Sequence, residues 1–142
     1  IYQTAVMGSI WAIIEITLGT WMHLSKIPFK GILLSQIAIF ILVISKKIIN
    51  YKGSLIMIGI LCATIKTATS GAFILNPIIA ILAESIIVEI IFNVGKYNFI
   101  TSIIAGSMAL FYTFMHSVIA QLFFFGFEII TVYEKIFILP ST

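Results

Sequence analysis

The chain has 142 residues, of which 61% are hydrophobic and only 9% are charged, and its formal net charge is +3. Soluble domains average about 45–50% apolar and about 25% charged residues, so a soluble globular domain is excluded and the surplus apolar surface must face lipid. The lysines are scattered among short connections and form no dense basic stripe, which argues against a nucleic-acid-binding protein.

Apolar runs separated by lysine, glycine, proline and asparagine predict five transmembrane helices. The first run is a true span and not a signal peptide, because it has no basic leader and carries Glu15 at its centre. The fifth run is longer than one crossing requires, so we expect one tilted or protruding helix. The predicted spans are residues 3–22, 31–45, 54–70, 75–94 and 99–127. We therefore predict one all-α domain over residues 1–142, a polytopic membrane helix bundle.

The connections between these runs indicate an orientation. The second and fourth connections contain Lys46, Lys47, Lys52 and Lys96, whereas the opposite side contains Lys26, Lys30 and Lys135. By the positive-inside rule this small excess places the N-terminus in the cytoplasm. All cations are lysine and all anions are glutamate, which is typical of an AT-rich genome, so we expect a bacterial cytoplasmic membrane. The chain begins at Ile1 and not at methionine, and we expect that it can extend beyond either end.

Ionisable residues at bilayer depth cost roughly 2.5–3.5 kcal/mol each on insertion scales, so they usually face the bundle interior and mark a site. Five residues qualify: Glu15, Lys66, Glu84, Glu89 and His116.

Glu15 lies on one helical stripe with Gly8, Trp11 and Gly19. A carboxylate beside an indole can bind a cationic or hydrogen-bonding ligand. The alternative is a protonated structural glutamate that bonds a neighbouring helix. For Lys66, ligand binding and a buried ion pair with Glu15 or Glu84 are equal alternatives.

The fourth run carries acidic residues on two faces. Glu84 shares a face with Asn76, Pro77 and Ala80 and is expected to point to the same centre as Glu15. Glu89 lies about 140° around the helix from Glu84, and we expect it to make an interfacial or partner contact.

His116 follows Tyr112 on one stripe of the fifth run. No HExxH pair or close His–His spacing exists, and Cys62 is the single cysteine, so we predict no metal site. A histidine bonded to a tyrosine or a backbone carbonyl is the simpler alternative. The predicted substrate-binding residues are Trp11, Glu15, Lys66, Asn76, Glu84 and His116. We expect no cofactor, no catalytic residue and no enzyme activity.

Two segments resemble a known family. The first helix contains Ala5-Val-Met-Gly-Ser-Ile-Trp-Ala12, and the first connection contains Ile27-Pro-Phe-Lys-Gly31. With the small bundle and the absence of a nucleotide-binding loop, they resemble the S components of energy-coupling factor (ECF) transporters, which capture vitamins or metal ions. The resemblance implies a separate coupling subunit and separate ATPases as partners.

The resemblance also implies residue roles. Small residues of the first helices would contact the coupling subunit; they map onto Gly8, Ala12, Gly59 and Ala63. The first connection would form a lid over the substrate, with His23, Lys26, Pro28 and Lys30. The family has six helices, so the sixth lies either beyond Thr142 or within the fifth run. Cobalt and nickel members begin with Met-His, whereas Met22-His23 is internal here, and metal binding is not carried over.

The predicted function is therefore a membrane-embedded, substrate-binding subunit of a micronutrient uptake transporter, with lipid, other subunits and a small molecule as partners. One alternative is an accessory subunit of a larger membrane enzyme or respiratory complex, suggested by the long fifth run and its Phe123-Phe124-Phe125 segment. Another is an ion-coupled carrier that uses Glu15, Glu84 and Lys66. It ranks lower, because no inverted repeat is visible.

Overall fold

The structure is a computed structural model that describes residues 1–25, 30–70 and 75–125. Within these ranges every regular element is an α-helix, which confirms the predicted all-α bundle. The helices are α1 (Tyr2–Leu24), α2 (Lys30–Ile48), α3 (Ser54–Ser70), α4 (Leu75–Gly95) and α5 (Phe99–Phe125). Lys26, Pro28 and the predicted end of the fifth run at residue 127 lie outside the described residues.

Four of these helices, α1, α2, α4 and α5, are long and apolar enough to cross a membrane, as expected of a multi-pass membrane protein. The shorter apolar helix α3 has 17 residues, which gives about 25 Å against a hydrocarbon core of about 30 Å. Helix α5 is continuous over its 27 residues, about 40 Å. The alternative that the fifth run hides two spans is therefore wrong between Phe99 and Phe125.

The helices are arranged around the bundle in the order α1, α3, α4, α5 and α2, and α2 closes the ring by packing against α1. Helix α2 also contacts α3 and α4, so it touches every other helix. The core is built from small and branched side chains of all five helices, including Ala12, Leu42, Ile58, Val88 and Ala109, each 0% exposed. Aliphatic side chains on the outer faces, such as those of α5, remain exposed for lipid.

One end of the bundle is closed by a buried ion pair. Lys46 Nζ lies 2.8 Å from Glu89 Oε1, and the two residues are 7% and 1% exposed. The same carboxylate accepts hydrogen bonds from the backbone N–H groups of Gly53 at 2.7 Å and Leu55 at 3.0 Å. Gly53 adopts a positive φ of 84°, a conformation that suits glycine. Glu89 thereby satisfies N–H groups at the start of α3 that have no helical acceptor.

The role expected for Glu89 is corrected by this geometry. We expected an interfacial or partner contact, but the side chain is enclosed in the bundle and joins α2, α3 and α4. The physical reason is that Lys46, at the C-terminal end of α2, supplies a cation where α4 packs against it. A buried carboxylate with a cation and two N–H donors is far less costly than an isolated one.

The small residues expected to contact a coupling subunit also have an internal place. Gly8, Ala12, Gly59 and Ala63 are all buried within the chain. Gly8 faces Leu61 of α3, and Gly59 faces Ser85 of α4. They let α1, α3 and α4 approach closely. The four residues that the resemblance assigns to the contact with a coupling subunit are therefore not exposed on the surface of this chain.

Gly59→Ala should therefore destabilise the bundle by about 1–3 kcal/mol, the usual cost of overpacking. An added Cβ would lie 2.6 Å from Ser85 Cβ, so α3 and α4 must separate. Cys62 is the single cysteine and is fully buried, and its reaction with a thiol-reactive fluorophore reports unfolding. Gly106→Ala is the matched control, because the nearest heavy atom would be Ile39 Cγ2 at 3.4 Å. Equal unfolding midpoints for the two variants would contradict the close approach.

Candidate binding site

A cavity of about 520 Å³ lies in the half of the bundle opposite the Lys46–Glu89 pair, between the C-terminal halves of α1, α3 and α5 and the N-terminal halves of α2 and α4. Its volume lies in the range of small-molecule sites, roughly 300–1,000 Å³. Five of the six residues predicted to bind substrate line it: Glu15, Lys66, Asn76, Glu84 and His116. The membrane-depth ionisable residues at this end thus converge on one space.

Glu84 is the most buried carboxyl group of the cavity, at 3% exposure. Ser35 Oγ donates a hydrogen bond to Glu84 Oε1, and Thr113 Oγ1 donates to the same oxygen at 2.7 Å. Ser35 and Thr113 are also within 3.2 Å of each other. Among the described residues, neither lysine ion pair involves Glu84 and no hydrogen bond is made to its Oε2. One oxygen is therefore anchored and the other is left for a further partner.

Glu15 and Lys66 form an ion pair on the wall of the cavity. Lys66 Nζ lies 2.6 Å from Glu15 Oε1, and their side chains are 17% and 10% exposed respectively. Of the two carboxylates that the sequence offered as partners of Lys66, the structure selects Glu15. The pair joins α1 to α3 and leaves polar atoms of both residues beside the cavity.

His116 lies on the α5 side of the cavity. Its ring stacks on Tyr112, with centroids 5.7 Å apart and planes inclined by 17°. Its Nε2 atom is buried and has no hydrogen-bond partner among the described residues. The expected hydrogen bond to a tyrosine is replaced by ring stacking, because Tyr112 precedes His116 by one helical turn. A buried ring nitrogen without a partner is costly.

The end of the cavity farthest from the Lys46–Glu89 pair, called its mouth below, lies beside the described residues that flank the first connection. Lys30 Nζ, at the start of α2, lies 2.6 Å from His23 Nδ1, near the end of α1. Both residues line the cavity. Of the four predicted lid residues, these two are placed at the site, whereas Lys26 and Pro28 are outside the described residues.

Trp11 is the one predicted substrate-binding residue that does not line the cavity. It is 1% exposed and belongs to the packed core, and its Nε1 has no hydrogen-bond partner among the described residues. Gly8, Trp11, Glu15 and Gly19 form one stripe along α1, but only Glu15 and Gly19 line the cavity. The N-terminal half of this stripe packs against α3, as the contact of Gly8 with Leu61 shows.

Four hydroxyl residues of the site were not predicted from the sequence: Thr20, Ser35, Thr113 and Ser117. Serine and threonine are common in transmembrane helices, where the hydroxyl can bond its own helix backbone. Thr113 Oγ1 also lies 3.1 Å from the Ala109 carbonyl oxygen, a second acceptor that shares its single hydroxyl proton with Glu84. A usable signal was that Ser35 and Thr113 interrupt runs of larger apolar residues.

The chemistry of the lining favours ligand binding. No group of three or more histidine, cysteine, aspartate or glutamate residues able to hold a metal ion occurs in the described part of the chain. What the lining offers is carboxylate acceptors, hydroxyl groups, two ammonium donors and two imidazoles in otherwise apolar surroundings. Such a few convergent polar groups in an apolar pocket are typical of small-molecule sites. Comparisons with protein families, with characterised proteins and with solved structures give no match to this chain.

Proposed function

We propose that this chain is a membrane-embedded substrate-binding subunit of an uptake transporter for a small polar micronutrient. The observation that carries the proposal is the cavity between the ends of all five helices, where a few polar and charged groups converge in a largely apolar lining. Polar and charged groups inside an apolar bundle are costly to maintain, and a bound polar molecule would offset that cost.

The closed half of the bundle supports capture over free conduction. Leu55 and Ser54 are fully buried and Ile49 is 2% exposed at the end where Lys46 pairs with Glu89. A molecule that enters the cavity thus meets a packed core beyond Glu84. Release to the other side would require the helices to rearrange, which a separate energy-supplying subunit can drive.

The remaining features of the proposal follow the family resemblance and the lysine distribution. The chain would lie in a bacterial cytoplasmic membrane with its N-terminus inside, and a coupling subunit with ATPases would supply the energy. Since Gly8, Ala12, Gly59 and Ala63 are buried, the coupling subunit would contact lipid-exposed faces instead. Helix α5 offers the least covered one, with Phe111 and Phe114 exposed.

One observation favours a second candidate, an ion-coupled carrier. Among the described residues, Glu84 is bonded to hydroxyl groups and forms no lysine ion pair, and intramembrane carboxyl groups of this kind occur in proton relays. A carrier would move substrate into liposomes in response to an ion gradient without ATP. Flux under these conditions would favour the carrier over the proposed subunit.

The proposed function is tested by purifying the chain from its native membrane and identifying what accompanies it. We expect a coupling subunit, a pair of ATPases and a small molecule released on denaturation. Ala80→Phe, which places a ring in the cavity lining, should abolish retention of the small molecule. Ile86→Phe is the matched control, because Ile86 lies on the same helix, is 40% exposed and does not line the cavity.

Two outcomes would contradict the proposal. Redox subunits in place of ATPases would support the accessory-subunit alternative. Retention of the small molecule by Ala80→Phe at the level of Ile86→Phe would show that the cavity is not where it binds.

A further inference from the structure

We infer that the cavity binds an amphoteric organic molecule, with a cationic amine at its inner end and an anionic group at its outer end. This inference rests on the proposed function, because it names the class of molecule that the same site would capture. It comes from how the charged groups are distributed between the bottom and the mouth of the cavity.

The inner end presents a carboxyl group with one unused oxygen. Glu84 is 3% exposed, and its Oε1 is held by Ser35 and Thr113. Neither described lysine ion pair involves it. A buried carboxylate without a cation is costly, and a ligand ammonium group that donates to Oε2 would supply the cation. The two hydroxyl donors fix the carboxyl plane before the ligand arrives, which lowers the entropic cost of binding.

The mouth presents the opposite charge. Lys30 is half-buried at the start of the described part of α2, and its Nζ contacts His23 Nδ1 and no described carboxylate. An ammonium group has three donors, so Lys30 can bond His23 and still donate to a ligand carboxylate.

The Glu15–Lys66 pair on the side wall carries no net charge, so the end groups determine which charges the ligand has, while the pair can still donate and accept hydrogen bonds. Glu15 and Lys66 offset each other at 2.6 Å. The field inside the cavity therefore runs from Lys30 at the mouth to Glu84 at the bottom. Ser35, which bonds Glu84, lies five residues after Lys30 on α2, so the backbone positions of Lys30 and Ser35 are about 7–8 Å apart along the helix axis. A ligand with one charge meets only one of the two charge sites.

The experiment measures unfolding of the purified chain by exposure of Cys62, with probes of defined charge. The probes are β-alanine, γ-aminobutyrate and ε-aminocaproate, each compared with the alkylamine and the alkanoate of the same chain length. We expect at least one amino acid to raise the unfolding midpoint more than both of its single-charge analogues. Glu84→Gln should weaken its apparent affinity by about 10- to 100-fold, the effect of losing a hydrogen bond to a charged group.

A second variant keeps the inference testable if Glu84→Gln does not fold. Lys30→Met changes a residue at the mouth outside the packed core, and it should reduce the response to the amino acid to that of the matched alkylamine. Stabilisation by alkanoates that equals that by the amino acids would overturn the amphoteric class. If Ala80→Phe still blocks that stabilisation, the cavity remains a binding site and the proposed function stands. If no probe shifts the midpoint, the amphoteric class at this spacing is wrong; if the native protein also retains no small molecule, the proposed function fails with it.

Discussion

Glu89→Gln is expected to lower the free energy of unfolding by about 3–5 kcal/mol, the usual cost of removing one partner from a buried ion pair. Glu89 is 1% exposed and bonds Lys46 Nζ and the N–H groups of Gly53 and Leu55. The amide offers one acceptor oxygen where the carboxylate offers two. Lys46, at 7% exposure, would stay buried without its counter-charge.

Glu89, Lys46 and the two N–H donors, together called the Lys46–Glu89 clamp, contribute strongly to stability because they fix three helices at one point. Lys46 comes from α2, Glu89 from α4, and the two N–H donors from the start of α3. Loss of the carboxylate releases the ion pair and the α3 N-terminus together. Reaction of Cys62 with the thiol-reactive fluorophore during heating should show a lower unfolding midpoint for Glu89→Gln than for the unaltered chain.

Two controls separate the ion pair from general effects of charge. Lys47→Met removes the exposed neighbouring lysine and should leave the midpoint unchanged. Lys46→Met combined with Glu89→Gln removes both buried charges and keeps an acceptor oxygen for the N–H groups of α3, so it should be less damaging than Glu89→Gln alone, because no charge is stranded. The folded fraction of Glu89→Gln should still retain the ligand, since Glu89 does not line the cavity. A midpoint equal to that of the unaltered chain would show that the clamp does not stabilise the bundle.

The helices themselves were predictable because lipid imposes a simple constraint. A span needs about 20 apolar residues, and the breaks at Lys46-Lys47 and at Lys96 interrupt the runs clearly. The helix ends that do not adjoin undescribed residues lie within three residues of the prediction: Tyr2 and Leu24 of α1, Ile48 of α2, Ser54 of α3, Gly95 of α4 and Phe99 of α5.

The convergence of Glu15, Lys66 and Glu84 on one cavity was also predictable. An ionisable residue in the middle of a membrane bundle turns inward because lipid cannot solvate it, so residues at similar depth meet. The pairing of Lys66 with Glu15 was not predictable, because it depends on α1 packing against α3. Trp11 was expected at the binding site but lies in the packed core, for a related reason. A helical stripe predicts which residues share a face, but it does not predict where along that face the cavity begins.

The Lys46–Glu89 clamp was missed because its two parts lie far apart in sequence. Lys46 was counted as a loop lysine, and Glu89 was treated as a contact for the interface or a partner. The structure shows that α2 continues through Lys46 to Ile48, which brings the lysine under the bundle. The available signal was that both charges lie near the same membrane face.

Removing one member of the Glu15–Lys66 pair should cost about 3 kcal/mol of stability, and a double variant can separate this structural role from ligand binding. Glu15→Gln takes the carboxylate from the Lys66 ammonium 2.6 Å away, and Lys66→Met does the reverse. Both residues lie in a half of the bundle where polar groups are screened from water. Each single variant should therefore unfold at a lower temperature, as Cys62 exposure would show.

The double variant, Glu15→Gln with Lys66→Met, removes both charges and should recover most of the stability, because no charge is left buried alone. Retention of the small molecule should not recover with it. Both side chains line the cavity, and a ligand that uses them loses a hydrogen bond to a charged group, worth about 1.5–3 kcal/mol. Mass spectrometry of the released ligand measures this on protein that is demonstrably folded. If the double variant retains the ligand as well as the unaltered chain does, the pair only ties α1 to α3, and ligand recognition belongs to Glu84 and the residues around it.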